Sequence, residues 1–203
     1  MKVPGFPPLH FGPHGLFRHS LRTYCDDGKI ASRGTGDKLH SVMAAAQIVE
    51  TTALRCVSIE NATTFHELCR LGCPDLFILT SYPNQATVDF ILRLPIDLPI
   101  YHWGDTDPYG FDVLRDLRRK TARTIAPLHM RVGTWAEELP IETRARRELT
   151  AQDRQKLMFL LDDPDMNDVK AELQKMEATG HTGDFEQEGL QPTSALFPYM
   201  NMG

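Results

Sequence analysis

The chain has 203 residues, of which 41% are hydrophobic and 24% charged, as is typical of a globular protein with a core of its own. This composition excludes collagen-like and wholly disordered chains, and the lack of a run of about 18 apolar residues predicts no membrane span. The net charge is −5, and residues 134–203 carry 14 acidic but only 7 basic side chains. A protein that binds nucleic acid unaided usually has a basic excess, so partner chains or a metal ion would have to help if this one acts on DNA.

Residues 1–37 are rich in Gly, Pro and His and lack hydrophobic periodicity. They predict an arm or loop packed on another domain or subunit, or the remnant of an upstream domain. Residues 38–53 have apolar side chains at helical spacing and predict a helix. The four cysteines form no CxxC pair, which predicts neither a disulfide scaffold nor a zinc site and favours a cytoplasmic protein.

The middle of the chain alternates short apolar segments with amphipathic ones. This pattern indicates an α/β fold, with a parallel sheet covered by helices on both faces and right-handed crossovers. Asn61, Asn84 and Asp107 are placed to cap helices, Pro108 suits a first helical position, and Pro127 pushes the last strand to an edge. The predicted strands are 54–59, 76–80, 98–103 and 124–130, and the predicted helices are 62–71, 84–94, 108–123, 150–162 and 165–179, followed by a loop-like tail over 181–203.

Three carboxylates follow the ends of predicted strands: Glu60 after the first, and Asp105 and Asp107 after the third. Ligands of open α/β sheets bind beyond the carboxyl ends of the strands. Carboxylates that converge there repel one another, and an all-oxygen ligand set suits Mg²⁺ or Mn²⁺. Taken singly, Asp107 could only cap a helix and Glu60 could be a solvated loop residue. Their joint placement favours a metal site.

Two segments, VSIENATTFHEL (57–68) and YHWGDTDPYGFDVLRDL (101–117), together resemble the TOPRIM domain. That domain pairs a Glu at the end of its first strand with an Asp-x-Asp after a later strand. The Asp-x-Asp-Pro-Tyr-Gly form is similar to the A subunit of topoisomerase VI. The fuller pattern, with FEQEGLQP (185–192), resembles the C-terminal domain of the JetD type, the nuclease subunit of the bacterial Wadjet anti-plasmid system.

This resemblance, which covers about residues 40–192, implies a TOPRIM-like, Rossmann-like parallel sheet of about four strands. Residues 38–133 would form the core, and residues 134–203 a helical extension with an acidic segment that completes the domain. The implied activity is a metal-dependent DNA endonuclease of a plasmid-defence complex, working as a homodimer with SMC-like, condensin-type subunits. Glu60, Asp105 and Asp107 would be the catalytic and metal-binding residues, and Glu186 or Glu188 would complete the site, unless that segment is merely an exposed acidic loop.

Two departures from the family pattern keep alternatives open. Fewer than 60 residues precede the first motif, whereas JetD-type proteins carry N-terminal DNA-binding and dimerising regions, so the chain could be a fragment or a reduced relative. The only upstream tyrosine, Tyr24, is a poor match for a topoisomerase nucleophile, which favours hydrolysis by water. The alternatives are a transesterase subunit of the topoisomerase VI A kind and a non-catalytic TOPRIM-like binding module.

Several polar and basic residues near the motifs are candidates for DNA contact. For His102 a structural role is the stronger alternative. For the basic helix residues an equal alternative is a solvated face paired with Asp112 and Asp116. The candidates are Ser81, Tyr82, His102 and Tyr109 at the strand ends, and Arg115, Arg118 and Arg119 on the helix, with Lys120 and Arg123 beside them.

Overall fold

The structure, a computed structural model, describes residues 9–11, 49–51, 53–71, 75–132 and 146–183. From residue 54 onward the described strands and helices end within three residues of the predicted ones, except that the helix predicted over 165–179 is a 3-10 helix followed by an α-helix that begins at Lys170. None of the described helices combines the length and apolar composition of a membrane span. The strands are β1 (Leu9–Phe11), β2 (Val49–Thr51), β3 (Cys56–Ile59), β4 (Leu76–Leu79), β5 (Ile100–Trp103) and β6 (Ile125–Pro127), and the helices are α1 (Ala62–Leu71), α2 (Gln85–Arg93), α3 (Pro108–Thr121), α4 (Ala151–Leu161), a 3-10 helix (Pro164–Val169) and α5 (Lys170–Thr179).

Strands β3 to β6 form a parallel four-stranded sheet with the order β4-β3-β5-β6. The α/β fold predicted from the sequence is therefore confirmed, and it is consistent with a TOPRIM-like arrangement. The chain leaves β3 toward β4, then crosses back over β3 to β5, so the strand order reverses between β3 and β5. At such a switch point the loops after the two strands diverge and open a crevice at the carboxyl edge.

Apolar side chains cover both faces of the sheet. On the face of α1, Trp103, Ile59 and Phe77 pack with the helix residues Phe65 and Leu68 in the smaller of two clusters. The opposite face carries the larger cluster, to which β5 contributes through Ile100 and to which helices α2 to α5 all contribute. The alternation along β5 follows from the two-residue period of a strand. Its fully buried Trp103 anchors the point where the chain enters the crevice.

The N-terminal prediction is wrong in part. Residues 49–51 belong to the segment 38–53, for which a helix is predicted, but they form the strand β2. This strand pairs in parallel with β1, which lies in the segment 1–37 predicted to be an arm or loop. The run Val49-Glu50-Thr51-Thr52 contains three β-branched residues, which favour a strand over a helix. The rest of residues 1–48 lies outside the described part of the chain.

The predicted N-caps are confirmed. The side chain of Asn61 accepts hydrogen bonds from the backbone N–H groups of Thr63 and Thr64, at 2.8 and 3.0 Å. Asn84 accepts from the backbone of Thr87 at 2.9 Å. Each cap satisfies N–H groups that have no partner inside their helix. The two helices therefore begin one residue after their asparagines, as the sequence indicates.

One buried ion pair joins the starts of two neighbouring strands. Arg55 donates from Nε and Nη2 to the two carboxylate oxygens of Asp75, at 2.9 and 3.1 Å, and Asp75 is fully buried.

Asp75→Ala would leave the largely buried Arg55 guanidinium without this partner, so we expect the free energy of unfolding to fall by about 3–5 kcal/mol. Chemical denaturation measures this loss. The matched control is Asp97→Ala at an exposed turn, which should change stability by less than about 0.5 kcal/mol, and an equal effect of both would contradict this role of the pair.

Candidate functional site

The crevice between β3 and β5 brings Glu60 against the loop that carries Asp105 and Asp107. Glu60 donates its backbone N–H to the carbonyl of Trp103 at 3.2 Å. Its side-chain Oε2 accepts the backbone N–H of Asp105 at 3.4 Å. Burial, followed by the negative charge of Asp105 and then of Asp107, raises the pKa of Glu60 to about 7. The structure thus brings together the three carboxylates that the sequence singled out.

Two glycines allow this close approach. A Cβ atom on Gly104 would lie 2.6 Å from Nε2 of His102 and 3.0 Å from Oε2 of Glu60. A Cβ atom on Gly110, in the first turn of α3, would lie 2.3 Å from the backbone oxygen of Asp105. Contacts under 3 Å with backbone atoms cannot be relieved by a side-chain rotation, so only glycine lets α3 approach the loop this closely.

Asp107 has two structural partners in addition to its place in the crevice. Its Oδ1 accepts hydrogen bonds from the backbone N–H groups of Tyr109 and Gly110, both at 2.9 Å. The capping role left open in the sequence is therefore real, and Pro108 is the first residue of the helix. Its Oδ2 accepts from Nη2 of Arg147 at 3.2 Å. Both oxygens of Asp107 are engaged, although its side chain keeps a quarter of its surface exposed.

Arg147 is a site residue that sequence reasoning missed. It donates to Asp153 at 2.6 and 3.3 Å as well as to Asp107. Its backbone pairs with Thr182, whose N–H donates to the Arg147 carbonyl at 2.9 Å, and the next residue, Gly183, donates to the carbonyl of Thr106 at 2.7 Å. Two segments distant in sequence thus meet at the Asp-x-Asp loop. The one available signal was the basic run Arg144 to Arg147 in an otherwise acidic last third of the chain.

By donor chemistry the site suits a hard divalent cation, because all its ligand atoms would be carboxylate oxygens. The side chains are not, however, arranged as a complete set of metal ligands. Among residues 53–71, 75–132 and 146–183, no three His, Cys, Asp or Glu side chains are arranged to hold a metal ion. The two oxygens of Asp107 are bonded instead to the N–H groups at the start of α3 and to Arg147.

Comparisons with known proteins identify the family. A family model described as "Wadjet protein JetD, C-terminal" matches residues 16–195. The chain belongs to this JetD family. A curated relative, "Wadjet protein JetD" of Bacillus cereus (strain Q1), is 31% identical over 85 residues, which is 39% of this chain and 21% of the relative. The alignment therefore spans about a fifth of that relative's length, and the resemblance inferred from the paired motifs is confirmed at the level of the family.

In this JetD-family chain, His102 does not lie where DNA could reach it. The side chain is fully buried, and its Nδ1 lies 2.8 Å from Oγ of Ser58 on the neighbouring strand. Burial lowers the pKa of His102 to about 3, so the ring is neutral. The prediction of a DNA contact is wrong for His102, because its side chain is buried in the sheet next to Gly104. The alternative, a structural role, is the one that the structure supports.

Two exposed tyrosines lie at the rim of the crevice. Tyr82 donates its hydroxyl to Asp112 at 2.8 Å and keeps 48% of its surface exposed. Burial and Asp112 raise its pKa, and the charge of Glu60 adds to the shift, which places the hydroxyl near the carboxylates. Tyr109 is 37% exposed, and the ammonium of Lys156 lies 5.6 Å from its ring centre. Together with the exposed Ser81 they stay candidates for DNA contact.

The basic residues of α3 are mostly engaged within the fold. Arg115 pairs with Asp112 at 2.8 Å, and Arg118 pairs with Asp168 at 2.7 Å and also donates to a carbonyl at the start of β6. Arg119 is more exposed, at 57%, and lies 3.9 Å from Asp163. At a helical rise of 1.5 Å per residue, Arg118 and Arg119 lie about 15 Å along the helix from its first turn. The structure therefore does not bring Arg118 and Arg119 together with the carboxylates. The alternative prediction, a helix face paired with acidic residues, is correct for two ion pairs, Arg115 with Asp112 and Lys120 with Asp116.

Tyr24, Glu186 and Glu188 lie outside the described residues, so their predicted roles stay predictions. Gly183, the last described residue before the two glutamates, donates its backbone N–H to the carbonyl of Thr106, between the two aspartates.

The ion pair of Arg147 with Asp153 makes the stability of the protein depend on pH. Arg147 and Thr150 hold the pKa of Asp153 at about 2, below its ordinary value of about 3.9 in an unfolded chain. The stabilisation is therefore fully present above about pH 4 and is lost as the pH falls toward 2. We expect Asp153→Asn to be less stable than the wild type at pH 6, and the difference to shrink steadily between pH 4 and pH 2 in denaturant titrations. A difference that stayed constant over this range, as for the exposed control Asp97→Asn, would contradict the assignment.

Proposed function

We propose that this JetD-family domain is a metal-dependent DNA endonuclease that hydrolyses phosphodiester bonds within a Wadjet-like plasmid-defence complex in the cytoplasm. The observation that carries the proposal is the placement of Glu60 against the loop of Asp105 and Asp107 at the switch point of the sheet, where burial, and then the charges of these aspartates, raise the pKa of Glu60 to about 7. A cluster of carboxylates that destabilises itself is expected where a cation completes the site. Membership of the JetD family supports the assignment to a Wadjet system.

Mg²⁺ or Mn²⁺ would be held by Glu60 and Asp105, with Asp107 joining them through Oδ2 and with Glu186 or Glu188 completing the set of ligands. When bound, the ion would polarise the phosphodiester and activate the attacking water. Without the ion, Glu60 can hold a proton near neutral pH, because its pKa is raised to about 7. It would take up or return a proton in steps in which it does not bind the ion, because a bound cation lowers the pKa of a carboxylate ligand.

The surroundings of the site fit a nuclease that receives its DNA from partners. Tyr82, Tyr109 and Ser81 give the rim exposed rings and a hydroxyl that can contact bases and the sugar–phosphate backbone. The net charge of −5 supplies no general attraction for DNA. SMC-like, condensin-type subunits would deliver the DNA. A homodimer would place one carboxylate site at each of the two DNA strands.

The test is cleavage of supercoiled plasmid by the purified protein with Mg²⁺, with Mn²⁺ or with EDTA. We expect nicking or linearisation that needs the ion and that Asp105→Asn reduces by at least about 100-fold, as for the loss of a residue that stabilises charge in the transition state. Asp97→Asn is the matched control, because it removes an exposed aspartate at the opposite edge of the sheet. Thermal unfolding confirms that both variants are folded.

Two other outcomes would decide for the alternatives. Protein covalently attached to the DNA ends would indicate a transesterase of the topoisomerase VI A kind. Absence of cleavage together with absence of divalent-ion binding would indicate a non-catalytic binding module. Cleavage that survives EDTA or the Asp105→Asn substitution would contradict the proposed site.

A further inference from the structure

Arg147 makes two unequal contacts. Its Nη1 and Nη2 donate to the two oxygens of Asp153, at 2.6 and 3.3 Å, and Nη2 also donates to Oδ2 of Asp107, at 3.2 Å. Asp153 is buried and belongs to the capping box of α4, in which it exchanges hydrogen bonds with Thr150. Asp153 is therefore a fixed anchor. The contact with Asp107 is a single hydrogen bond, which Nη2 shares with Asp153.

The two oxygens of Asp107 also differ. Oδ1 accepts two backbone N–H groups at the start of α3, and these cannot leave without unwinding the first helical turn. Oδ2 accepts only from Arg147 among the described residues. A divalent ion that uses Asp107 as a ligand without disturbing the start of α3 therefore takes Oδ2, and its charge repels Arg147 and weakens the contact between Arg147 and Oδ2.

Once released from Asp107, Arg147 would still be held by Asp153 beside the crevice. Its side chain is 41% exposed, so the freed N–H groups face solvent. A guanidinium fork matches the oxygen atoms of a phosphate group and binds them with charge-assisted hydrogen bonds. Among the described residues it is the arginine that directly contacts one of the three carboxylates, and Arg115 and Arg118 are engaged elsewhere.

We propose that Arg147 is the phosphate-binding residue of this site, paired with Asp107 until a divalent ion takes Oδ2 and then turned to the DNA backbone. The inference rests on the proposed function and deepens it. It makes the binding of DNA by Arg147 conditional on the ion, and it makes Arg147 a competitor of that ion.

The test compares wild type with Arg147→Gln and Arg147→Lys in the full chain. Calorimetric titration with Mn²⁺, without DNA, should show about fivefold or greater tightening in Arg147→Gln, because a positive charge next to the ligand is gone. Arg147→Lys should stay near the wild-type affinity. Binding of a phosphorothioate duplex, which resists hydrolysis, should weaken about tenfold or more in both variants when Ca²⁺ is present. In EDTA the same variants should bind the duplex as the wild type does.

Controls separate this role from damage to the fold. Lys175→Gln removes a cation from α5, where it pairs with Glu172, and should change neither affinity. The double variant Arg147→Gln/Asp153→Asn avoids leaving a buried carboxylate unpaired, and it should show the same gain for Mn²⁺ and the same loss for DNA. A tightened metal site is not a result that a disrupted fold would give.

The proposal is overturned by unchanged or weaker Mn²⁺ binding in Arg147→Gln. It is also overturned by a loss of DNA affinity that is equal with Ca²⁺ and with EDTA. If the wild type cleaves plasmid with metal while Arg147→Gln matches it in every readout, the inference fails and the nuclease stands. If the wild type binds no divalent ion, both fail.

Discussion

The parallel pairing of β3 with β5 is the constraint on which the site depends. It sets Ile59 opposite Trp103, so that the residues after both strands enter the same crevice. Glu60 then bonds to the backbone on the far side through its own N–H and through its carboxylate. The burial of Trp103 on one face and the close contact of Gly110 with Asp105 on the other hold the two loops at this distance. Nothing in either loop alone would bring the charges together.

The fold accommodates these charges by giving them secondary tasks. Asp107 caps α3 and pairs with Arg147, while Glu60 accepts a backbone N–H. The pKa of Glu60 is nevertheless raised, first by burial and then by the charges of Asp105 and Asp107. Arg147 in turn links the crevice to the capping box of α4, so the C-terminal helices stabilise the loop that carries Asp105 and Asp107.

Local signals in the sequence were enough for most of the fold. The caps at Asn61, Asn84 and Asp107 and the apolar strands depend on neighbouring residues, and the structure has them close to their predicted positions. The strand β2 was misread because the apolar residues before it have helical spacing and the predicted helix was extended through residues 49–51, while the partner strand β1 lies about 40 residues upstream.

The surroundings of the site could not be read in this way, because they depend on contacts distant in sequence. The sequence makes Arg118 a candidate for DNA contact, but in the structure it pairs with Asp168, 50 positions later in the chain. Arg147 has no motif, and only the fold places it 3.2 Å from Asp107. His102 stands in a motif next to the aspartates, yet the alternation of side chains along β5 turns it into the core. Paired motifs thus identified the carboxylates and the family, while the cationic half of the site needed the structure.

We expect Glu60 and the Asp-x-Asp loop to form one divalent-ion site. Calorimetric titration of Mn²⁺ into the wild type and Glu60→Gln measures this without DNA or partner subunits. Binding to the wild type should be saturable and binding to Glu60→Gln at least about tenfold weaker, because a charged oxygen ligand is lost. Equal binding by the two proteins, both folded, would show that Glu60 is not a ligand of the ion.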